Sequence, residues 1–131
     1  MDKNMSSVNL YSPLVLAYIG DSVYEVYVRE RILSENPNLP AYKLHRMAIG
    51  YVKAAAQAES IHAIESELSE RELSVYKRGR NAKSATVPKN ADVSDYRCAT
   101  GLEALIGYLH LNGETERLTE LMAMSYEAVN H

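Results

Sequence analysis

Two acidic residues stand in surroundings that rarely hold a charge. Asp21 follows Gly20 in the middle of an apolar stretch, and Glu103 lies in residues 99–107, whose other members are apolar or small. A buried carboxylate is costly unless it is paired or holds a cation. If the two carboxylates meet in the fold, their oxygens would suit Mg²⁺, which prefers oxygen ligands and keeps several waters.

The same residue types also fit structural roles, which the spacing leaves equally open. Asp21 could face solvent or pair with a lysine or arginine, and Glu103 could form a single buried salt bridge. Glu25 projects from the same side of the helix as Asp21, but it also has Arg29 four residues further on, and that ion pair is the favoured interpretation. Gly20 could simply allow close helix packing.

A basic segment runs from Lys77 to Arg97. It has six lysines and arginines against two aspartates, a charge of +4, in a chain whose net charge is −3. Phosphate contacts from such side chains supply most non-specific affinity for nucleic acid. Residues 80–90 contain no aromatic ring on which bases could stack, which favours a duplex backbone over a single strand. A solvated surface loop is the alternative, and composition alone favours it.

Length and composition narrow the class of protein. The 131 residues fit one domain, 1–131, and a hydrophobic content of 47% is ordinary for a folded chain. The single cysteine, Cys98, excludes an internal disulfide and fits a reducing compartment. No signal peptide or membrane span is evident, so a cytoplasmic location is expected. The four histidines do not have the spacing of zinc ligands.

Helical periodicity dominates and predicts an all-α fold of five to seven helices. Ser12 and Pro13 read as the N-cap and first residue of a helix that ends near Glu35, before Asn36-Pro37. This helix is apolar nearly all round, so we expect it to be buried. The other helices are expected as follows: a short one opened by Pro40, a third over 52–64 after a break at Gly50, a fourth from the capping box at Ser69 to a terminal Gly79, a fifth over 92–111 and a sixth over 114–129.

Several segments together resemble a known family. Residues 18–25 (YIGDSVYE) and 102–107 (LEALIG) resemble the two acidic motifs of ribonuclease III. Residues 16–21 (LAYIGD), 77–84 (KRGRNAKS) and 88–90 (PKN) are closer still to its short bacterial branch, the Mini-ribonuclease 3 family, which has the catalytic domain alone. The similarity covers about residues 8 to 127, so no double-stranded-RNA-binding domain is expected.

The resemblance implies an enzyme of the ribonuclease III endonuclease domain fold, a helical bundle that forms a homodimer. Asp21 and Glu103 would bind Mg²⁺, with Mn²⁺ as an alternative ion, and catalyse hydrolysis of double-stranded RNA to a 5′-phosphate and a 3′-hydroxyl. The substrate associated with the branch is precursor 23S ribosomal RNA. Contacts with the duplex would come from this set: Lys77, Arg78, Arg80, Asn81, Lys83, Ser84, Lys89 and Asp92.

Two departures from the wider family put the number of bound metals in doubt. Ala17 stands four residues before the aspartate, and Thr100 three residues before the second glutamate, where the family has carboxylates. Thr100, Glu25 or water could complete the metal site. Asp92 and Asp95 could also assist, although favourable interaction with a helix dipole is the favoured interpretation of both.

These departures leave two other functions open. A catalytically inactive module that binds double-stranded RNA would keep the fold without the full set of carboxylates. A plain helical interaction protein would lack salt-dependent RNA binding.

Overall fold

The computed structural model describes residues 8, 10–83 and 92–129, and this part of the chain is helical with no β-strand. The predicted all-α fold is confirmed. The helices have these bounds: α1 Pro13–Glu35, α2 Ala41–Val52, α3 Ala54–Ile64, a single 3₁₀ turn Glu65–Glu67, α4 Glu70–Asn81, α5 Val93–Leu111 and α6 Thr115–Glu127.

Helix α5 is the centre of the bundle, and α1, α3, α4 and α6 pack around it. Its buried residues include Leu102, Leu105, Ile106 and Leu109, none of which has any exposed surface. A helix enclosed on most sides must be apolar nearly all round, which is the pattern of its sequence. A polar side chain on the covered faces of α5 is therefore held in a defined place by the neighbouring helices.

Local signals set several helix ends as predicted. The Ser12 hydroxyl accepts a hydrogen bond from the Val15 amide at the start of α1, with Pro13 as the first helical residue. The capping box at the start of α4 is complete: Ser69 and Glu72 each accept a hydrogen bond from the other's backbone amide.

Two predicted breaks are wrong. Gly50 lies within α2, which continues to Val52, and the chain turns at Lys53, whose backbone is extended (φ −64°, ψ 155°). Gly79 does not end α4 but is buried inside it, where an added Cβ would be 2.9 Å from the Gly101 Cα. Its small size serves helix packing rather than termination.

The expectation that α1 is buried all round is also wrong. One stripe, which includes Leu16, Tyr24 and Val28, is buried, but Tyr18 is 75% exposed and Val26 55% exposed. Apolar composition does not reveal how many faces of a helix find a partner within one chain.

The described part of the chain has no helix both long and apolar enough to cross a membrane.

Candidate active site

The site lies where α1 crosses α5, and two glycines allow the crossing. A Cβ on Gly20 would overlap the backbone oxygen of Glu103 and lie 2.8 Å from the Gly107 nitrogen. A Cβ on Gly107 would overlap the backbone oxygen of Leu16. The two helix backbones are therefore in direct contact, and the residues that flank the glycines are brought together.

The contact places the carboxyl groups of Asp21 and Glu103 within hydrogen-bonding reach of each other. The pKa of Glu103 is raised to about 8, first by burial and then by the charge of Asp21. Glu103 is partly buried, whereas Asp21 is exposed, so the expectation that both carboxylates are buried is wrong for Asp21. The site is an acidic pair at the edge of the bundle, open to solvent on the α1 side.

A residue that the sequence analysis does not single out also contacts Glu103. Gln57 of α3 is 2% exposed, and its Nε2 donates to the Glu103 Oε2 at 3.1 Å and to the Val52 backbone oxygen at 2.8 Å. The signal in the sequence is one amide in a run of alanines, residues 54–58, which by its composition indicates only a strong helix former.

The two other candidates near the acidic pair already have partners. Glu25 forms the predicted ion pair with Arg29, Nη2 to Oε2 at 3.0 Å, and it adds a smaller repulsion on Glu103. The Thr100 hydroxyl donates to the Tyr96 backbone oxygen at 3.0 Å within its own helix. Its oxygen lone pairs are still available to accept a hydrogen bond from water.

The aspartates at the start of α5 do not join the acidic pair in one chain. Asp92 is the N-cap and accepts from the Asp95 amide at 3.0 Å, in accord with the helix-end interpretation. Asp95 precedes Glu103 by about 12 Å along the helix axis. Nowhere in the described ranges do three or more His, Cys, Asp or Glu side chains gather as a metal site, so the acidic pair has no third carboxylate to replace Ala17 or Thr100.

The basic residues predicted to bind RNA lie in the C-terminal half of α4 and just after it. Lys77, Arg78, Asn81 and Lys83 are exposed, and Arg80 is partly buried. The Arg80 guanidinium carbon lies 5.6 Å from the centre of the Tyr76 ring, and its Nε donates to Asn81. Ser84 and Lys89 of the predicted set fall outside the described residues.

Arg97 belongs to the basic segment but is not among the predicted RNA contacts. It lines a cleft of about 340 Å³ between α4 and α5 together with Arg80 and Asn81. Residues 80 and 97 are 17 apart in the chain, so only the packing of α4 on α5 reveals that the two arginines share a surface. We call Lys77, Arg78, Arg80, Lys83 and Arg97 the basic surface.

Comparisons with known proteins agree with this architecture. Residues 14–114 match the Ribonuclease III domain family. A Mini-ribonuclease 3 from Clostridium tetani is 53% identical over 113 residues, which are 86% of this chain and 75% of that protein. Another from Streptococcus pneumoniae is 44% identical over 127 residues, 95% of this chain and 98% of that protein.

A solved structure has the same fold. The crystal structure of a protein from Fusobacterium nucleatum superimposes with a TM-score of 0.80 at 29% sequence identity. The match covers 90% of this chain and 93% of that one. The similarity therefore extends over nearly the whole helical bundle.

Proposed function

We propose, from the premise that this chain belongs to the ribonuclease III family and to its Mini-ribonuclease 3 branch, that it hydrolyses double-stranded RNA with a divalent cation bound by Asp21 and Glu103. Membership of the family makes it an endoribonuclease. The observation that carries the rest is the meeting of two carboxylates from distant parts of the chain at the α1–α5 crossing. Residues 1–131 would form a single catalytic domain.

The acidic pair fits a hard cation. Two carboxylates this close repel each other when both are ionised, and burial adds to the cost, which is why the pKa of Glu103 rises to about 8. A cation held between them would remove that repulsion. Their oxygen atoms suit Mg²⁺, with Mn²⁺ as an alternative ion. A bound divalent ion would lower the pKa of a water molecule and offset the charge that develops at phosphorus.

The reaction proposed is hydrolysis of one phosphodiester bond. A water oxygen bonds to phosphorus, the bond from phosphorus to O3′ breaks, and O3′ takes up a proton, which leaves a 5′-phosphate and a 3′-hydroxyl. In this scheme Asp21 is exposed on α1 and Glu103 is partly buried on α5. The reaction would therefore take place at the edge of the α1–α5 crossing. Thr100 would hold a water in place, and Glu25 would act at most through its repulsion on Glu103.

The basic surface supports a duplex as the substrate. Its four exposed cations and Arg80 lie on α4, just after it and on the first part of α5, so they can follow a phosphate backbone. Asn81 would add a neutral contact and Asp92 would border the surface at the start of α5. We propose the paired ends of precursor 23S ribosomal RNA as the natural substrate, on the family resemblance, and hence a cytoplasmic location.

A homodimer is proposed from the exposed apolar face of α1. Tyr18 and Val26 project from the side opposite the core, and α2 adds Tyr42 and Ile49, which are 63% and 47% exposed. Exposed apolar side chains on two neighbouring helices are typical of an interface. Two copies joined there would present two acidic pairs to one duplex.

Incubation of the purified protein with a long duplex RNA, with Mg²⁺ or with EDTA, tests the proposal. We expect short products that carry 5′-phosphates with Mg²⁺, none with EDTA, and none from a single strand of the same sequence. Products that form equally in EDTA would contradict the role of the cation. RNA binding without cleavage at any Mg²⁺ concentration would favour the alternative, a catalytically inactive RNA-binding module. Ala17 and Thr100, which stand where the wider family has carboxylates, would then explain the lack of activity.

A further inference from the structure

The buried amide of Gln57 links α3 to two other helices and leaves one of its own atoms without a partner. Its Nε2 donates both protons, one to the Val52 backbone oxygen and one to the Glu103 Oε2. Its Oε1 is buried, and no donor in the described part of the chain reaches it. A buried acceptor without a partner costs on the order of 1–3 kcal/mol, so the site carries that cost together with the two hydrogen bonds that the amide donates.

The orientation of the amide is forced by its neighbours. The Val52 oxygen can only accept a hydrogen bond, so the amide group must turn its NH₂ toward it. If the amide group were rotated by half a turn, its oxygen would face two other oxygens. Gln57 is therefore a donor to Glu103, and the end of α2, where Val52 lies, holds that donor in place.

We propose that Gln57 is a positioning residue, which orients the Glu103 carboxylate for the cation shared with Asp21. This inference rests on the proposed function. One oxygen of Glu103 is fixed by the Gln57 amide, so the carboxyl group does not rotate and its remaining lone pairs keep one direction. Partners of this kind orient metal ligands and raise their affinity.

The test replaces Gln57 with methionine, which keeps the length and volume but donates no hydrogen bond. Binding of Mn²⁺ to the RNA-free protein is measured from the loss of the free-ion signal in electron paramagnetic resonance. We expect the dissociation constant to rise by about 10- to 100-fold, as for other residues that orient metal ligands. The melting temperature without metal is measured beside it, because the variant loses the hydrogen bonds to Val52 and Glu103 as well as the unpartnered oxygen.

Ser60→Ala is the matched control in the same helix. The Ser60 hydroxyl is fully buried and donates to the Ser125 backbone oxygen at 2.7 Å, on the side of α3 that faces α6. Its loss should lower the melting temperature by roughly 3–6 °C and leave Mn²⁺ binding unchanged. Gln57→Met should therefore change the affinity for Mn²⁺, and Ser60→Ala should change only the melting temperature. Gln57→Leu provides a second apolar substitution if the methionine variant folds poorly.

Cleavage kinetics separate the outcomes further. A positioning role predicts that Gln57→Met lowers kcat on duplex RNA and leaves KM nearly unchanged. Wild-type Mn²⁺ affinity in both apolar variants, or a lower melting temperature with unchanged affinity, would overturn the inference while the wild-type enzyme still cuts. A wild-type protein that neither binds Mn²⁺ nor cuts duplex RNA would instead overturn the proposed function and this inference with it.

Discussion

Gly20 and Gly107 face each other across the contact between α1 and α5. A Cβ on Gly20 would lie 2.8 Å from the Gly107 nitrogen, and a Cβ on Gly107 would lie 3.1 Å from the Gly20 nitrogen. Because neither residue has a side chain, the backbones touch, and Asp21 reaches Glu103. The position of the acidic pair is thus a consequence of having glycine at both positions of the contact.

Gly20→Ala should destabilise the fold by about 3 kcal/mol or more, since the new Cβ meets backbone rather than a movable side chain. Urea denaturation measures the free energy of unfolding. Gly113→Ala is the contrasting variant, because a Cβ there meets nothing within 4 Å and only its φ of 73° is unfavourable. We expect about 1 kcal/mol from that variant; equal losses at both positions would contradict the close contact.

Asp21→Asn and Glu103→Gln should each reduce the cleavage rate by more than about 100-fold. Binding of duplex RNA in EDTA should be nearly unchanged, because the basic surface is intact. Glu30→Gln makes the same change at an exposed position on another face of α1 and should cut at the wild-type rate. Wild-type cleavage by either of the first two variants would remove the assignment of the acidic pair.

The raised pKa of Glu103 predicts how stability without metal depends on pH. The folded state holds the proton up to a pKa of about 8, above the ordinary value of 4.5. The protonated Glu103 therefore makes its full contribution to the free energy of unfolding below pH 4.5. That contribution is lost as the pH rises toward 8, because the folded state must then bury the charged form.

Glu103→Gln should remove this loss. In EDTA at about pH 8 the variant should exceed the wild type in free energy of unfolding by on the order of 1–3 kcal/mol, and near pH 4.5 the two should converge. Denaturation at the two pH values measures the difference. A gap of constant size across that range would show that Glu103 ionises as freely in the folded chain as in the unfolded one.

The basic surface should contribute to affinity without sequence preference. Arg80→Ala with Lys83→Ala should weaken duplex binding and reduce the slope of log affinity against log salt by about one for each phosphate that the variant no longer binds. Filter binding at several salt concentrations gives the slope. Lys43→Ala with Arg46→Ala, which removes two exposed cations on α2, is the charge-matched control and should leave the slope unchanged. The same affinity for the double variant and wild type at low salt would exclude this surface.

The proposed homodimer depends on the exposed face of α1. Tyr18→Asp places a charge at a position 75% exposed in one chain and should shift the protein from dimer to monomer. Sedimentation velocity measures the shift, and circular dichroism checks that the helices persist. Leu111→Asp, at the far end of α5 and 37% exposed, should leave the association state unchanged. A wild-type protein that sediments as a monomer would exclude the dimer.

Much of the fold could be predicted from sequence because its signals are local. Ser12 and Pro13 set the start of α1, Ser69 and Glu72 the start of α4, and Asp92 the start of α5. Each of these helix starts depends on hydrogen bonds within about four residues, so the local sequence is enough to predict it. The acidic positions 21 and 103 were also visible, because a charge in an apolar stretch is conspicuous in any one-dimensional reading.

Tertiary structure decided the properties that depend on a partner helix. The exposure of Asp21, the burial of Gly79 inside α4, the bond from Gln57 to Glu103 and the shared cleft of Arg80 and Arg97 all involve residues on different helices. A helix's own sequence determines which side chains share a face, but not which face another helix will cover. Burial and electrostatics follow from that packing, and packing involves residues far apart in the chain.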